Sequence, residues 1–452
     1  MSTLLGGQPS EVLNSEHDLD KYFEAHAKPL AQHRIGLEAE FLGVDQAGQA
    51  LSYQGKNGIR EILLALAKTF HYEPVEDHGS VIALTRGSTI IGLEPGGQIE
   101  LSAPPVANIF EVQEQIHRFL DELREMQRQF PGVRWLAYGI QPFSKLEEIS
   151  WVPKKRYEVL AAYLATRGPL SHHMMKRTAT NQVNFDYASE ADAMEKLRVS
   201  LSITSIISAM FAHASISEGE PNAFASYRLE IWNHTAPERA GLITEFLQPG
   251  KKFKDYLNYC LDMPTIFIVR NAEWIPLKGK RFREFINEGF EGHRATVGDF
   301  ELHLSTAFPE VRIKQYLEIR GTDGQRPELI PAMAAFWKGI LYDAQSRKEA
   351  LEVAAFASQD DLLRFHGNMP REGLQAKLSG RPILPLAKEL VDIACRGLGR
   401  QKSPKLQDEC LFLNPIREKI LKLGKSPGEM LVEKWHGVLG QKPENLIQEL
   451  GI

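Results

Sequence analysis

The stretch FPEVRIKQYLEIRGTD, Phe308 to Asp323, alternates between apolar and polar side chains. Val311, Ile313, Leu317 and Ile319 fall on one side; Arg312, Lys314, Tyr316, Glu318 and Arg320 fall on the other. A period of two belongs to a β-strand. Same-face side chains of a strand are about 7 Å apart, so an unbroken strand would set three cations and a carboxylate in a row roughly 25 Å long. Such a row suits an extended anion, for example a polyphosphate beside a carboxylate. Taken alone, it suits a half-buried strand with its charged side in water better.

Other strand-like segments give the basic row its company. In RIGLEAEFLGVD, Arg34 to Asp45, the residues Ile35, Leu37, Ala39 and Phe41 oppose Gly36, Glu38 and Glu40, and the strand is expected from Arg34 to Val44. Two carboxylates about 7 Å apart on one strand face can share a divalent-metal site. In SVIALTRGSTIIGLEPGGQIELSAPP, residues 80–105, three strands are expected, with a turn or bulge at Pro95, Gly96 and Gly97 and with Glu94, Gln98 and Glu100 as its polar positions. RTATNQVNFDY, residues 177–187, places Thr180, Gln182, Asn184 and Asp186 opposite Val183 and Phe185, a hydrogen-bonding face suited to an amino acid's ammonium and carboxylate. Acidic rows beside a basic row are what metal-nucleotide chemistry requires. For each segment by itself, a solvated face is the alternative.

Helical spacing is expected over Glu16–Ala27, Asn57–Phe70, Phe110–Phe130, Lys154–Ala165 and Glu190–Ala214, and again after Thr296, the expected N-cap. The stretch 222–241, with Arg228, Trp232 and Arg239, reads as polar and loop-rich, and His172 and His173 read as loop histidines without a third metal ligand nearby. From Pro327 onward the pattern is helical. No fixed-period repeat or low-complexity linker interrupts the chain. The expected architecture is therefore one α+β catalytic unit over residues 1–452, mixed sheet and helix over 1–325 and mainly helical over 326–452.

The totals narrow the function classes. With 452 residues, 43% hydrophobic content and a net charge of -5, the chain has an ordinary core and no global basic field for nucleic acid or anionic membrane. The most apolar run, LSITSIISAMFAHASI, is too short for a bilayer span. Cys260, Cys395 and Cys410 share no C-x-x-C spacing, so a reduced cytosol and no disulfide framework are expected. The first residues lack a secretion signal. No G-x-G-x-x-G follows a strand, and Gly424, Lys425 and Ser426 lack the leading glycine of a phosphate loop, that position being Lys419. A bound nucleotide is then expected on sheet side chains and metal ions.

Read in order, GLEAEF, GLEPGGQIELS, TNQVNFDY, IWNHTAPERAG, HLSTAFPEVRIKQYLEIRGTD, PAMAAFWKGILYD and FLNPIREKI make a set that resembles glutamate-cysteine ligase of the plant and bacterial type. The resemblance spans nearly the whole chain. It implies a glutamine-synthetase-like fold, a curved antiparallel sheet flanked by helices, and ATP-dependent joining of L-glutamate to L-cysteine as the first committed step towards glutathione. It also implies that Glu38, Glu40, Glu94 and Glu100 bind Mg2+, and that Arg312, Lys314 and Arg320 contact phosphate or the glutamate carboxylate. Gln182 and Asn184 become polar wall residues near substrate, joined by Arg228, Trp232 and Arg239. Ala236 or Pro237 stands where relatives often carry an acid, which leaves open a glutamate-amine ligase with another acceptor; a non-catalytic scaffold is the remaining alternative. A cytoplasmic enzyme of bacterial type, monomeric or a homodimer, is expected.

Overall fold

The residues described in this computed structural model are 11–401 and 407–452. Strand β1, Ile35–Val44, is the longest of the central sheet and is paired along both edges. The others are β2 (Glu73–Asp77), β3 (Ser80–Arg86), β4 (Thr89–Leu93), β5 (Ile99–Ser102), β6 (Arg134–Leu136), β7 (Asn181–Phe185), β8 (Val311–Ile313) and β9 (Leu317–Ile319). They form one sheet in the order β8-β9-β7-β1-β5-β4-β3-β2, with β6 on the end of β1. Every pairing in it is antiparallel.

Register decides which residues share a face. Glu38 stands opposite Gln182 and Ser102, and Glu40 opposite Glu100. Further across, Asn184 stands opposite Glu318, and Glu318 opposite Arg312. Acids from the start of the chain and bases from far along it therefore meet on one face of one sheet. The opposite face carries Leu37, Phe41, Val183, Phe185, Val311 and Leu317, none more than 1% exposed. Each such side chain contributes about 1.5–3 kcal/mol when fully buried.

The helices used below are α1 (Ile59–Phe70), α2 (Ile109–Gln129), α3 (Lys155–Leu164), α4 (Ser171–Arg177), α5 (Glu190–Met210), α6 (Tyr227–Asn233), α7 (Val297–Leu304), α8 (Leu329–Leu341) and α9 (Ile383–Arg400). Helix α8 is buried at every position, and with α2 and α5 it packs on the apolar side of the sheet. Thr296 caps α7 as expected, accepting the Asp299 N–H. After residue 326 the described chain is helical apart from the short pair Lys377–Leu378 with Arg381–Pro382. No described helix is long and apolar enough to cross a membrane.

The structure corrects several expectations. The stretch from Val311 to Ile319 is a hairpin, and its turn is closed by the Lys314 N–H donating to the Tyr316 carbonyl at 2.8 Å. An unbroken strand would have buried the Gln315 amide on the apolar face; the turn exposes it instead. The 25 Å row is thereby folded back on itself. Within the stretch expected as loop, α6 forms because Ser226 Oγ accepts the Leu229 N–H at 3.1 Å. His172 and His173 lie in α4 rather than in a loop. Glu16–Ala27 holds two short 3-10 turns, Glu16–Leu19 and Glu24–His26, in place of one helix. Cys395 on α9 and Cys410 form a disulfide with their Cα atoms 5.0 Å apart, so the absence of C-x-x-C spacing did not exclude one; Cys260 is free and buried.

Candidate active site

One cavity opens on the polar face of the sheet, and its acidic wall comes from β1 and the β4–β5 connection. Glu38 and Glu40 reach it from β1, Glu100 from β5, and Glu94 from the turn that joins β4 to β5. That turn is closed by the Gly97 N–H to the Glu94 carbonyl and the Glu94 N–H to the Gln98 carbonyl, both at 2.9 Å. Gly97 has φ +87°, which suits glycine. Gly96 has a different reason: a Cβ there would come within 2.1 Å of the Lys176 carbonyl oxygen.

The acids crowd one another. Burial first, then the Glu94 and Glu38 carboxylates, push Glu100 up to about 8. Burial and the same kind of crowding, from Glu94 and Glu100, raise Glu40 well above the ordinary carboxylate range, although the Thr180 N–H donates to it at 2.9 Å. Such a wall favours a bound cation, because a positive ion relieves the repulsion that protons otherwise relieve. Among the described residues, no three His, Cys, Asp or Glu side chains come close enough together to hold a metal ion between them. A cation here would accordingly be held by one or two carboxylates, with water or ligand oxygens completing its shell.

The basic wall is built around a buried anion. Glu318, fully buried on β9, pairs with Arg312 at 2.7 Å, Lys314 at 2.9 Å and Arg320 at 2.5 Å. Burial would raise its carboxyl, but the three cations outweigh burial and hold it well below the usual range. Arg320 also donates to Gln182 Oε1 at 2.7 Å, which fixes the amide and leaves its NH2 group to donate elsewhere. Arg228 of α6 lies 3.6 Å from the buried Asp323 and donates to the Arg320 carbonyl at 3.0 Å. Trp232, one turn further along α6, has its ring about 6 Å from both guanidiniums.

Of the positions singled out in the sequence, Asn184 and Arg239 do not line the cavity. Asn184 stands behind the wall and donates to Glu38 Oε1 at 3.1 Å. Arg239 is 1% exposed and is used up by the Thr306 carbonyl at 3.0 Å, the Pro264 carbonyl and the Tyr163 hydroxyl. Ala236 is buried and Pro237 exposed, and neither is on the wall. His172 is occupied by the Ala161 carbonyl and the Trp151 ring.

Sequence reasoning missed Lys154 and Arg156, which line the cavity from the start of α3. Arg156 donates to Ser305 Oγ at 3.1 Å, and Arg312 reaches the Ser305 carbonyl at 3.4 Å, so the two cationic groups meet at the end of α7. Burial, with Arg156 beside it, lowers Lys154 to about 8. The run Lys154, Lys155, Arg156 looks like a solvated helix start; only the burial of its first and third members separates it from one.

The family model Glutamate-cysteine ligase family 2 (GCS2) matches residues 34–447. The chain is 35% identical over 446 residues to the chloroplastic glutamate-cysteine ligase of Solanum lycopersicum, covering 98% of this chain and 83% of that protein. It is 33% identical over 444 residues to the chloroplastic enzyme of Arabidopsis thaliana, with the same two coverages. Among solved structures, the glutamate-cysteine ligase of Francisella tularensis in complex with AMP aligns with a TM-score of 0.54 at 12% identity, covering 93% of this chain and 87% of that one, which shows a shared glutamine-synthetase-like fold. The expected cytoplasmic setting is contradicted by these relatives, both of which are chloroplastic enzymes. On the match over residues 34–447 and the near full-length plant relatives, the chain belongs to glutamate-cysteine ligase family 2.

Proposed function

We propose that the protein uses ATP to join the γ-carboxylate of L-glutamate to the amine of L-cysteine by way of a γ-glutamyl phosphate, the first step of glutathione biosynthesis. The observation that carries this reading is the shared cavity, in which the carboxylates of β1 and β5 face the guanidiniums and ammonium gathered on Glu318. A carboxylate resists attack by an amine, so it must first accept a phosphoryl group. An oxygen of the glutamate γ-carboxylate bonds to the terminal phosphorus of ATP as the bond to ADP breaks; the amine then displaces phosphate from the acyl carbon. The charge handled throughout is anionic, and fixed cations stabilise it where it spreads over the phosphoryl oxygens.

Magnesium fits the acidic wall: Glu38, Glu40, Glu94 and Glu100 offer hard oxygen donors in ones and twos, and Mg2+ is usually held by one or two carboxylates plus substrate phosphates. When bound, it supplies charge neutralisation on the phosphate chain. The protein's own groups do the rest. Arg312, Lys314 and Arg320 hold transferring oxygens, and Gln182, Arg228 and Trp232 shape the amino-acid end of the cavity.

Purified protein given glutamate, cysteine, ATP and magnesium is expected to release one ADP and one phosphate per γ-glutamylcysteine formed. Absence of turnover with magnesium or manganese and every amine tried would end the proposal. An acceptor screen tests the second substrate, because a higher kcat/KM for another amine would remove cysteine.

A further inference from the structure

The cations of the cavity differ in what balances them. Arg312, Lys314 and Arg320 share Glu318, Arg228 lies beside Asp323, and Arg156 donates to Ser305. Lys154 is different. It is 6% exposed, and its ammonium has only the face of the Tyr157 ring, 4.9 Å away; among the described residues no acceptor lies within hydrogen-bond distance of Nζ and no carboxylate within ion-pair distance. A buried ammonium with no counter-ion in contact is destabilised, and a ligand of opposite sign that makes that contact relieves it.

The carboxylates whose charge Lys154 feels most are Glu94 and Glu100. An anion drawn to Lys154 is thus also drawn to a cation held by those acids, which describes a phosphate group better than an amino-acid carboxylate. A carboxylate has other partners in the same cavity, in Arg228, Arg320 and the Gln182 amide, the last two already joined by a hydrogen bond. Lysine is also a flexible point charge, suited to oxygens that shift during transfer, whereas a bidentate carboxylate contact calls for arginine.

We propose that Lys154 is a catalytic residue whose ammonium binds the oxygens of the terminal phosphoryl group of ATP, the phosphate supplying the counter-ion that the protein withholds. This rests on the ATP-dependent reading above. As the glutamate oxygen bonds to phosphorus, the P–O bond to ADP breaks and its electron pair leaves with ADP. Lys154 keeps its protons and only donates hydrogen bonds.

The test compares Lys154→Met and Lys154→Arg with Lys155→Met, whose residue pairs with Glu158 outside the cavity. Binding of a magnesium complex of a non-hydrolysable ATP analogue is measured by calorimetry, turnover by phosphate release, and thermal stability without ligand. Lys154→Met is expected to weaken nucleotide binding by roughly 10- to 100-fold, as loss of a hydrogen bond to a charged group does. It is expected to lower kcat by about 100-fold, leave the KM for glutamate within twofold, and keep or raise the Tm of the free protein. Lys154→Arg should recover part of the binding and Lys155→Met should match wild type. Unchanged binding and turnover in Lys154→Met overturn the proposal. So does a rise in the KM for glutamate or cysteine with nucleotide binding intact, which would place an amino-acid carboxylate there. If wild type binds nucleotide but turns nothing over, the ligase reading fails while Lys154 is still judged by the binding arm; if wild type binds no nucleotide, both fall.

Discussion

Glu318 shows how much one side chain can organise. It does not line the cavity, yet it pairs with three cations that do. Glu318→Gln keeps the shape and removes the charge, leaving those cations buried without their counter-ion. The expected cost is about 3–5 kcal/mol of stability, read from urea denaturation, together with a fall in kcat larger than any change in the KM for cysteine. His213 provides a pH test. Burial pushes it down to about 4, below its ordinary 6.5, and its ring nitrogen bonds the Gly324 carbonyl at 3.0 Å. The unfolded chain therefore takes up this proton first. Stability is fully present above pH 6.5 and is lost as pH falls through 4, at roughly 1.4 kcal/mol per pH unit from this group. Denaturation midpoints at pH 7 and 4.5 should differ less in His213→Gln than in wild type. The polar face that Glu38, Glu100 and Arg312 bring to the cavity was legible from strand periodicity. Lys154 and Arg239 were not, because burial and the use of a guanidinium by nearby carbonyls leave no trace in local spacing.

At the scale of elements, β1, β7 and β5 were legible because each has one apolar and one polar face and both faces are used. The β8–β9 hairpin was not. Its turn, Lys314, Gln315 and Tyr316, contains none of the glycine, proline or asparagine that marks most turns, and only the penalty for burying Gln315 favours it. Helix α6 was missed for a related reason: it is 7 residues long, too short for a periodic stripe, and is set by the Ser226 cap and by Arg228 packing. The β4–β5 turn makes a prediction of its own. Gly96→Ala would drive a methyl group into the Lys176 carbonyl, at a cost of about 1–3 kcal/mol of stability. The turn carries Glu94, so magnesium affinity, measured by calorimetry with ATP present, is expected to weaken as well.

For the molecule as a whole, the Cys395–Cys410 bridge ties α9 to the segment that follows it, 15 residues on. A loop of that length is worth about 3 kcal/mol when cross-linked. Incubation with a thiol reductant should therefore lower the Tm of wild type, and Cys395→Ser should have the lower Tm without reductant and show no further drop. The overall plan, a sheet with acids from early strands and bases from late ones, was legible because antiparallel register carries the alternation of each strand across to the next. The disulfide was not, since it does not depend on local pattern.

The pairing of Asn184 on β7 with Glu318 on β9 also has a bearing on synthesis. A ribosome that has released only the first 300 residues has made every acid of the cavity and not one of Arg312, Lys314 and Arg320. Chains interrupted there carry the acidic wall without those three cations, and the cavity is complete only once translation has passed Arg320.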